Sequence, residues 1–267
     1  MEFNDKSNVT IVLTSCGRFD LLKKTLASLD QYNTYPIREV IFTEDSGDAK
    51  IHDILPAHWK PHSRVFLNNP RRGQLASIDL AYQNVQTEYI FHCEDDWEFY
   101  RHNFIEDSMK ALESDPDIIQ VWLRSYHHDL RKNCLGSDTA DNCMHFLGDY
   151  KVTDNTGFYK LGCNTKEWMG FSFNPGLRRL SDYDTVKPFA KHVRSAKGES
   201  LTSIAYANLG KYAVILENSA VMHIGWEQHI VPQEDIKRLK KNKRLHRLSI
   251  VLGLIISFIT GMVIASW

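Results

Sequence analysis

The chain has 267 residues, 43% apolar and 24% charged, a composition that supports a sizeable folded core and excludes disordered and fibrous classes. Its 32 Lys+Arg against 33 Asp+Glu give a formal net charge of -1, so no general basic field exists and no nucleic-acid partner is expected. That balance averages two unlike parts: residues 235–247 hold seven Lys/Arg and one acid, whereas residues 1–234 hold 25 bases and 32 acids.

Val9 to Ser15 (VTIVLTS) is a β-branched apolar run closed by Cys16-Gly17, which predicts a buried strand. Phe19, Leu22, Leu26 and Leu29 then recur at helical spacing through Gln31 and give one apolar face. Glu39 to Thr43 is a second short buried strand, closed by Glu44-Asp45-Ser46-Gly47. Ile51 to His62, with two prolines, predicts a short helix and a loop, and Arg64 to Leu67 a third strand. After the turn-rich Asn68 to Gly73, Gln74 to Val85 is helical by period, and a fourth strand, Tyr89 to Cys93, runs into Glu94-Asp95-Asp96.

This alternation predicts an α/β fold with a mainly parallel sheet sandwiched by helices. Such sheets bind ligands beyond the carboxyl ends of their strands. Those ends carry Ser15-Cys16-Gly17-Arg18, Thr43-Glu44-Asp45-Ser46, Asn69 to Gly73, and the acidic triplet. In the second half, Phe104 to Leu112 and Ser200 to Leu209 read as helices, and Ile118 to Leu123 and Tyr212 to Leu216 as strands. Ser125 to Leu161 is a long polar stretch of weak period, and Phe171 to Leu177 alternates and ends in a turn.

Three adjacent carboxylates at the end of a buried strand repel one another unless a cation offsets them, and oxygen ligands of this kind suit Mg2+ or Mn2+. The same triplet also reads as a solvated acidic turn. Asp45 suits a base or ribose, or an Asx-type turn with Ser46 and Gly47. Arg18, Arg71 and Arg72 lie on neighbouring strand ends, where phosphate is a natural partner. His223, in VMHIG, suits a metal as a neutral imidazole or the core as a satisfied histidine. Glu199 opens a helix, where it serves either as a general base or as a complement to the helix dipole. Trp97, Trp168, Phe171 and Trp226 border these motifs and suit either the apolar faces of sugars or the core. The five cysteines form no C-x-x-C pair and read as reduced thiols. Nucleophile-elbow, P-loop, G-x-G-x-x-G and H-E-x-x-H motifs are all missing from the sequence.

Leu248 to Trp267 is twenty residues without a charged side chain, directly after the basic run. As a helix it would be about 30 Å long, the thickness of a bilayer's hydrocarbon. The expected organisation is therefore a catalytic domain over 1–234, a basic juxtamembrane segment over 235–247 and a C-terminal hydrophobic helix over 248–267 that spans or lies in the membrane. With a polar N-terminus and the bases on the domain side of the apolar run, the domain is expected to face the cytoplasm.

In this order, VTIVLTSCGR, IFTEDSGD, LNNPRRGQLASIDLAYQNV, YIFHCEDDWEF and VMHIGW resemble the GT-A (Rossmann-like) glycosyltransferases similar to family 2, over most of residues 8–227. The resemblance implies a nucleoside-diphosphate sugar donor, a glycan or lipid-linked acceptor, inversion at the anomeric carbon, and Mn2+ or Mg2+ as cofactor. Ser15 and Arg18 would line the nucleotide pocket, Asp45 would bind the base, and the Arg72-Gly73 loop would cover the nucleotide. Asp95 would face the ribose, Glu94 and Asp96 would occupy the metal-binding DXD position, and His223 would be a further ligand. Glu199 would be the catalytic base, although Gly-Glu-Ser stands where the family carries a Glu-Asp pair. Trp97, Trp168 and Phe171 would contact sugar or acceptor. The alternatives are a retaining transferase on the same fold, a nucleotidyltransferase, and a non-catalytic membrane-tethered binding protein.

Overall fold

The computed structural model describes residues 1–130, 145–165, 169–192 and 198–226. The strands are β1 (Val9–Ser15), β2 (Glu39–Glu44), β3 (Ser63–Leu67), β4 (Tyr89–Glu94), β5 (Trp97–Phe99), β6 (Ile118–Trp122), β7 (His145–Thr153), β8 (Thr156–Cys163), β9 (Gly176–Arg179), β10 (Tyr212–Leu216) and β11 (Val221–His223). The α-helices are α1 (Phe19–Tyr32), α2 (Ile51–Ile54), α3 (Gln74–Tyr82), α4 (Phe104–Glu113), α5 (Leu180–Val186) and α6 (Gly198–Asn208).

The central sheet has the order β3-β2-β1-β4-β9. Its first four members are parallel, and β9 pairs antiparallel to β4 through Tyr89 opposite Arg179 and Phe91 opposite Leu177. Every residue of β1 is buried, as a central strand covered by helices on both faces requires. Ile11 and Leu13 face a core shared with Leu22, Leu26 and Leu29 of α1 and Phe104, Ile105 and Leu112 of α4. Val12, Ile41 and Ile90 face the opposite core, with Leu75, Ile78 and Tyr82 of α3, Phe173 and Phe189. Each such fully buried aliphatic side chain contributes roughly 1.5–3 kcal/mol. Because the chain goes from β1 outward to β2 and β3 and then returns to place β4 on β1's other side, the crevice at the switch of direction lies between the ends of β1 and β4.

A second sheet, β6-β10-β8-β7, joins one parallel pair to an antiparallel hairpin, and β5 and β11 form a two-stranded ribbon with His223 opposite Trp97. The long polar stretch expected over 125–161 thus contains a π-helical turn, Tyr126–Leu130, and most of the β7–β8 hairpin. The alternating Phe171 to Leu177 segment becomes a strand only from Gly176, whereas α5 and the short β5 give no clear sequence signal.

Among the described residues, no helix is long and apolar enough to cross a membrane. The basic run 235–247 and the apolar run 248–267 lie outside the described residues, as do Cys134, Cys143 and Trp168.

Candidate active site

The loop after β1 turns at Gly17, whose φ of +73° is open to glycine and strained for other residues. This turn sends Arg18 across the crevice to the acids after β4. Its guanidinium pairs with both oxygens of Asp95, with Nε 3.2 Å from Oδ2, and with Asp96 Oδ2 at 2.8 Å. The same oxygen, Asp96 Oδ2, also meets His223 Nε2 at 3.2 Å, positioned by the β5–β11 ribbon. Asp95 and Asp96 are 1% and 5% exposed, so these pairs sit in a low-dielectric crevice.

The corner after β2 is built differently. Glu44, fully buried, accepts the hydroxyl of Ser15 and the backbone N–H groups of Gly17 (2.9 Å) and Ser46 (2.8 Å). Asp45 accepts the N–H groups of Arg72 (2.8 Å) and Gly73 (3.0 Å), the Asn68 amide (3.0 Å) and the Ser77 hydroxyl (3.1 Å). Gly73, at φ +84°, directs its N–H to Asp45 while capping α3, leaving the Arg72 side chain exposed. Arg71 reaches Cys16 Sγ at 2.8 Å and stands 3.6 Å from Asp45. Burial pushes the Cys16 thiol up, so it stays protonated at neutral pH.

Glu94 accepts a 2.6 Å hydrogen bond from Gln74 at the start of α3. Burial raises its pKa well above the usual carboxylate range, and the charges of Asp96, Glu199 and Asp95 add to the effect. Burial also raises Asp95, to about 6, against the opposing pull of Arg18. At Asp96 burial acts upward as well, but His223 and Arg18 outweigh it and hold this carboxyl below its ordinary value.

Glu199, in the first turn of α6, accepts hydrogen bonds from Ser172 and from the Phe173 backbone. Burial raises its pKa too. The charge of Glu199 is felt at Glu94, and the structure brings Arg18, Asp95, Asp96 and His223 into direct contact.

Among the described residues, no group of three or more His, Cys, Asp or Glu side chains is drawn together as a metal cage. The donors nevertheless fit a hard divalent cation in kind: three adjacent carboxylates, two of them raised mainly by burial and further by their neighbours' charges, with an imidazole nitrogen facing the third.

Two expected sugar contacts are corrected. Trp97 and Phe171 are 2% and 1% exposed, so their ring faces are covered by protein. Trp97 packs against His223, with Arg124 over its ring, and Phe171 packs among Phe173, Phe189 and Tyr206 beneath Arg178. Sequence reasoning also missed several organising residues. Glu44 had a signal, as an acid beside Asp45 at a strand end. Buried Arg178 had none: it bonds Tyr82 and the carbonyls of Ser172 and Asn174, fixing the loop whose Ser172 and Phe173 meet Glu199.

The family model described as Glycosyl transferase family 2 matches residues 10–175. Among curated proteins, the chain is 28% identical over 116 residues to mouse Beta-1,4 N-acetylgalactosaminyltransferase 1, covering 43% of this chain and 20% of that protein. It is 24% identical over 198 residues to the rat protein of that name, covering 67% and 35%. The chain therefore spans only a fifth to about a third of these relatives. Among solved structures, the Pyrobaculum calidifontis mannosyltransferase PcManGT, in complex with GDP-Man and Mn2+, aligns at TM-score 0.59 and 14% identity over 84% of this chain and 60% of its own. GalNAc-T7 with UDP, GalNAc and Mn2+ aligns at 0.59 and 13% over 84% and 45%, and S. aureus TarS 1-349 with UDP at 0.51 and 15% over 83% and 60%. At these identities the likeness shows the fold.

Proposed function

The chain belongs to glycosyl transferase family 2, and on that footing we propose that it transfers a sugar from a nucleoside-diphosphate donor to an acceptor hydroxyl, with inversion and with the help of Mn2+ or Mg2+. The observation that carries this reading is the meeting of the β1 loop with Asp95 and Asp96 across the crevice, where the charge of a further carboxylate, Glu199, is felt at Glu94. The solved neighbours' complexes with GDP-Man, UDP and Mn2+ support the donor class and the cation.

In this mechanism Glu199 takes the proton from the attacking hydroxyl. A carboxyl raised by burial is a stronger base than a solvated one, and its hydrogen bonds from Ser172 and Phe173 fix its direction. Ser15, the Gly17 turn and the Arg72-Gly73 loop form the wall for the nucleotide, with Arg71 and Arg72 available to phosphate. Asp96 and His223, with Glu94 beside them, would hold the cation, which when bound offsets charge on the departing diphosphate. We further read the basic run 235–247 and the apolar run 248–267 as a membrane anchor that keeps the domain at the cytoplasmic face near a glycan or lipid-linked acceptor.

The test is a screen of nucleotide-sugars against the full chain with Mn2+ or Mg2+, reading donor binding by calorimetry and transfer by product analysis. One donor class should bind in a metal-dependent way, and product of inverted configuration should form. Glu199→Gln should lower the rate by about 10²–10⁴-fold while donor binding persists. Because the base acts ionised and its pKa is raised, wild-type rate should fall as pH is lowered through that raised value, and the variant should lose this limb. Absence of binding by every donor with either metal would remove the reading, and full activity in Glu199→Gln would remove the base.

A further inference from the structure

Asp96 Oδ2 is claimed twice in the structure, by Arg18 at 2.8 Å and by His223 at 3.2 Å. It is also the oxygen best placed to share a cation with His223. The Arg18 guanidinium lies on Asp95 as well, and its side chain is only 18% exposed, so a full positive charge sits within the acidic group. An arginine does not shed its proton to make room for another cation. It can only leave, and leaving a desolvated carboxylate pair requires another anion of comparable strength.

We propose that Arg18 is an exchangeable counter-ion of the acidic triplet: it holds Asp95 and Asp96 while the site is empty and passes to the donor's diphosphate when the divalent cation takes the carboxylates. The inference rests on the metal-assisted reading above and goes beyond it by coupling the two ligands. Arg18 follows the Gly17 turn that forms the nucleotide wall, so the phosphates arrive on the side from which the guanidinium reaches. A guanidinium serves a phosphate through the same two-pronged geometry it uses on a carboxylate. Metal alone must displace Arg18 with nothing to receive it, and nucleotide alone must draw Arg18 from the acids and leave them repelling. Together each ligand relieves the other's cost, and the coupling is reciprocal.

The experiment uses the folded full chain in detergent, with Mn2+ followed by the electron paramagnetic resonance signal of the free ion, and UDP and GDP as nucleotide probes. Wild type should bind Mn2+ about tenfold more tightly when the better-bound nucleotide is present. Arg18→Gln should bind Mn2+ about tenfold more tightly than wild type without nucleotide, and should retain a coupling of about threefold or less. Arg18→Lys, which keeps the charge and loses the fork, should fall between the two and stands in if the glutamine variant does not fold by circular dichroism. Asp96→Asn should abolish Mn2+ binding in every background. If wild type binds Mn2+ through Asp96 and the folded Arg18 variants bind it no more tightly, the exchange is wrong while the metal reading stands. If no form binds Mn2+, or binding survives Asp96→Asn, the metal reading falls and takes the exchange with it.

Discussion

Two corners of one sheet carry buried acids at equivalent places, and they are held by different kinds of partner. Glu44, the last residue of β2, and Asp45 after it are 0% and 5% exposed; Asp95 and Asp96 after β4 are 1% and 5% exposed. Burial therefore does not distinguish them. At the β2 corner four of the donors are backbone N–H groups, from Gly17, Ser46, Arg72 and Gly73, joined by the side chains of Ser15, Asn68 and Ser77, with Arg71 3.6 Å from Asp45. At the β4 corner the partners are mainly side chains, Arg18 and His223, which can turn away. Backbone donors fix loops, and exchangeable side-chain partners leave room for a ligand. On the proposed function, the β2 corner would be architecture for the nucleotide wall and the β4 corner the place for chemistry.

The largest expected effect separates the corners directly. Asp45→Ala strips charged partners from two backbone N–H groups, an amide and a hydroxyl, and should cost about 3 kcal/mol or more of stability. Urea melts would show this as a lower midpoint. Asp96→Ala removes an equally buried acid but also relieves its repulsion on Glu94, and should change stability by only about 1 kcal/mol. Its transfer rate should fall about 10²–10³-fold. Equal destabilisation by the two substitutions would erase the distinction.

The next effect sharpens the contrast through pH. Asp95 has its pKa raised from 3.8 to about 6, so the folded state holds this proton more tightly than the unfolded chain does. Its contribution to stability is complete below pH 3.8 and is lost as pH rises through about 6. In metal-free protein that loss amounts to about 2–3 kcal/mol. Asp95→Asn should remove this part of the decline, visible as the difference between urea midpoints at pH 4 and pH 7. Saturating Mn2+ should flatten the wild-type curve toward that of the variant.

In the parallel half, β1, β2 and β4 were legible because they are almost wholly buried and read as largely apolar runs, with acids at the ends of β2 and β4. The β7–β8 hairpin was not. Strand β7 is exposed along much of its length, with Tyr150 and Val152 at 47% and 59%, so neither a continuous apolar run nor a clean alternation marks it. Direction was harder still. Trp97 adjoins the acidic triplet in sequence, but in β5 it points to the opposite side from Glu98 and enters the core. Phe171 likewise stands near functional residues and packs inward under Arg178. The acids themselves were legible, but their partners were not, because Arg18 and Asp95 are far apart in sequence and meet only through the order of the sheet.

The smallest effect provides the control. On the edge strand β3, Arg64 makes the same two-pronged contact with Glu39, at 2.6 and 2.8 Å, that Arg18 makes with Asp95. Arg64 also donates to the Asn84 carbonyl at 2.6 Å, but its side chain is 40% exposed, against 18% for Arg18. Water screens the Arg64 pair, and it lies at the amino ends of the strands, away from the crevice. Arg64→Gln should therefore cost less than about 1 kcal/mol and leave Mn2+ affinity, nucleotide coupling and transfer unchanged. A change in Mn2+ affinity with Arg64→Gln equal to that with Arg18→Gln would mean that the ion responds to the protein's overall charge. A response confined to Arg18 ties it to one guanidinium on one pair of carboxylates, and so to the β4 corner alone.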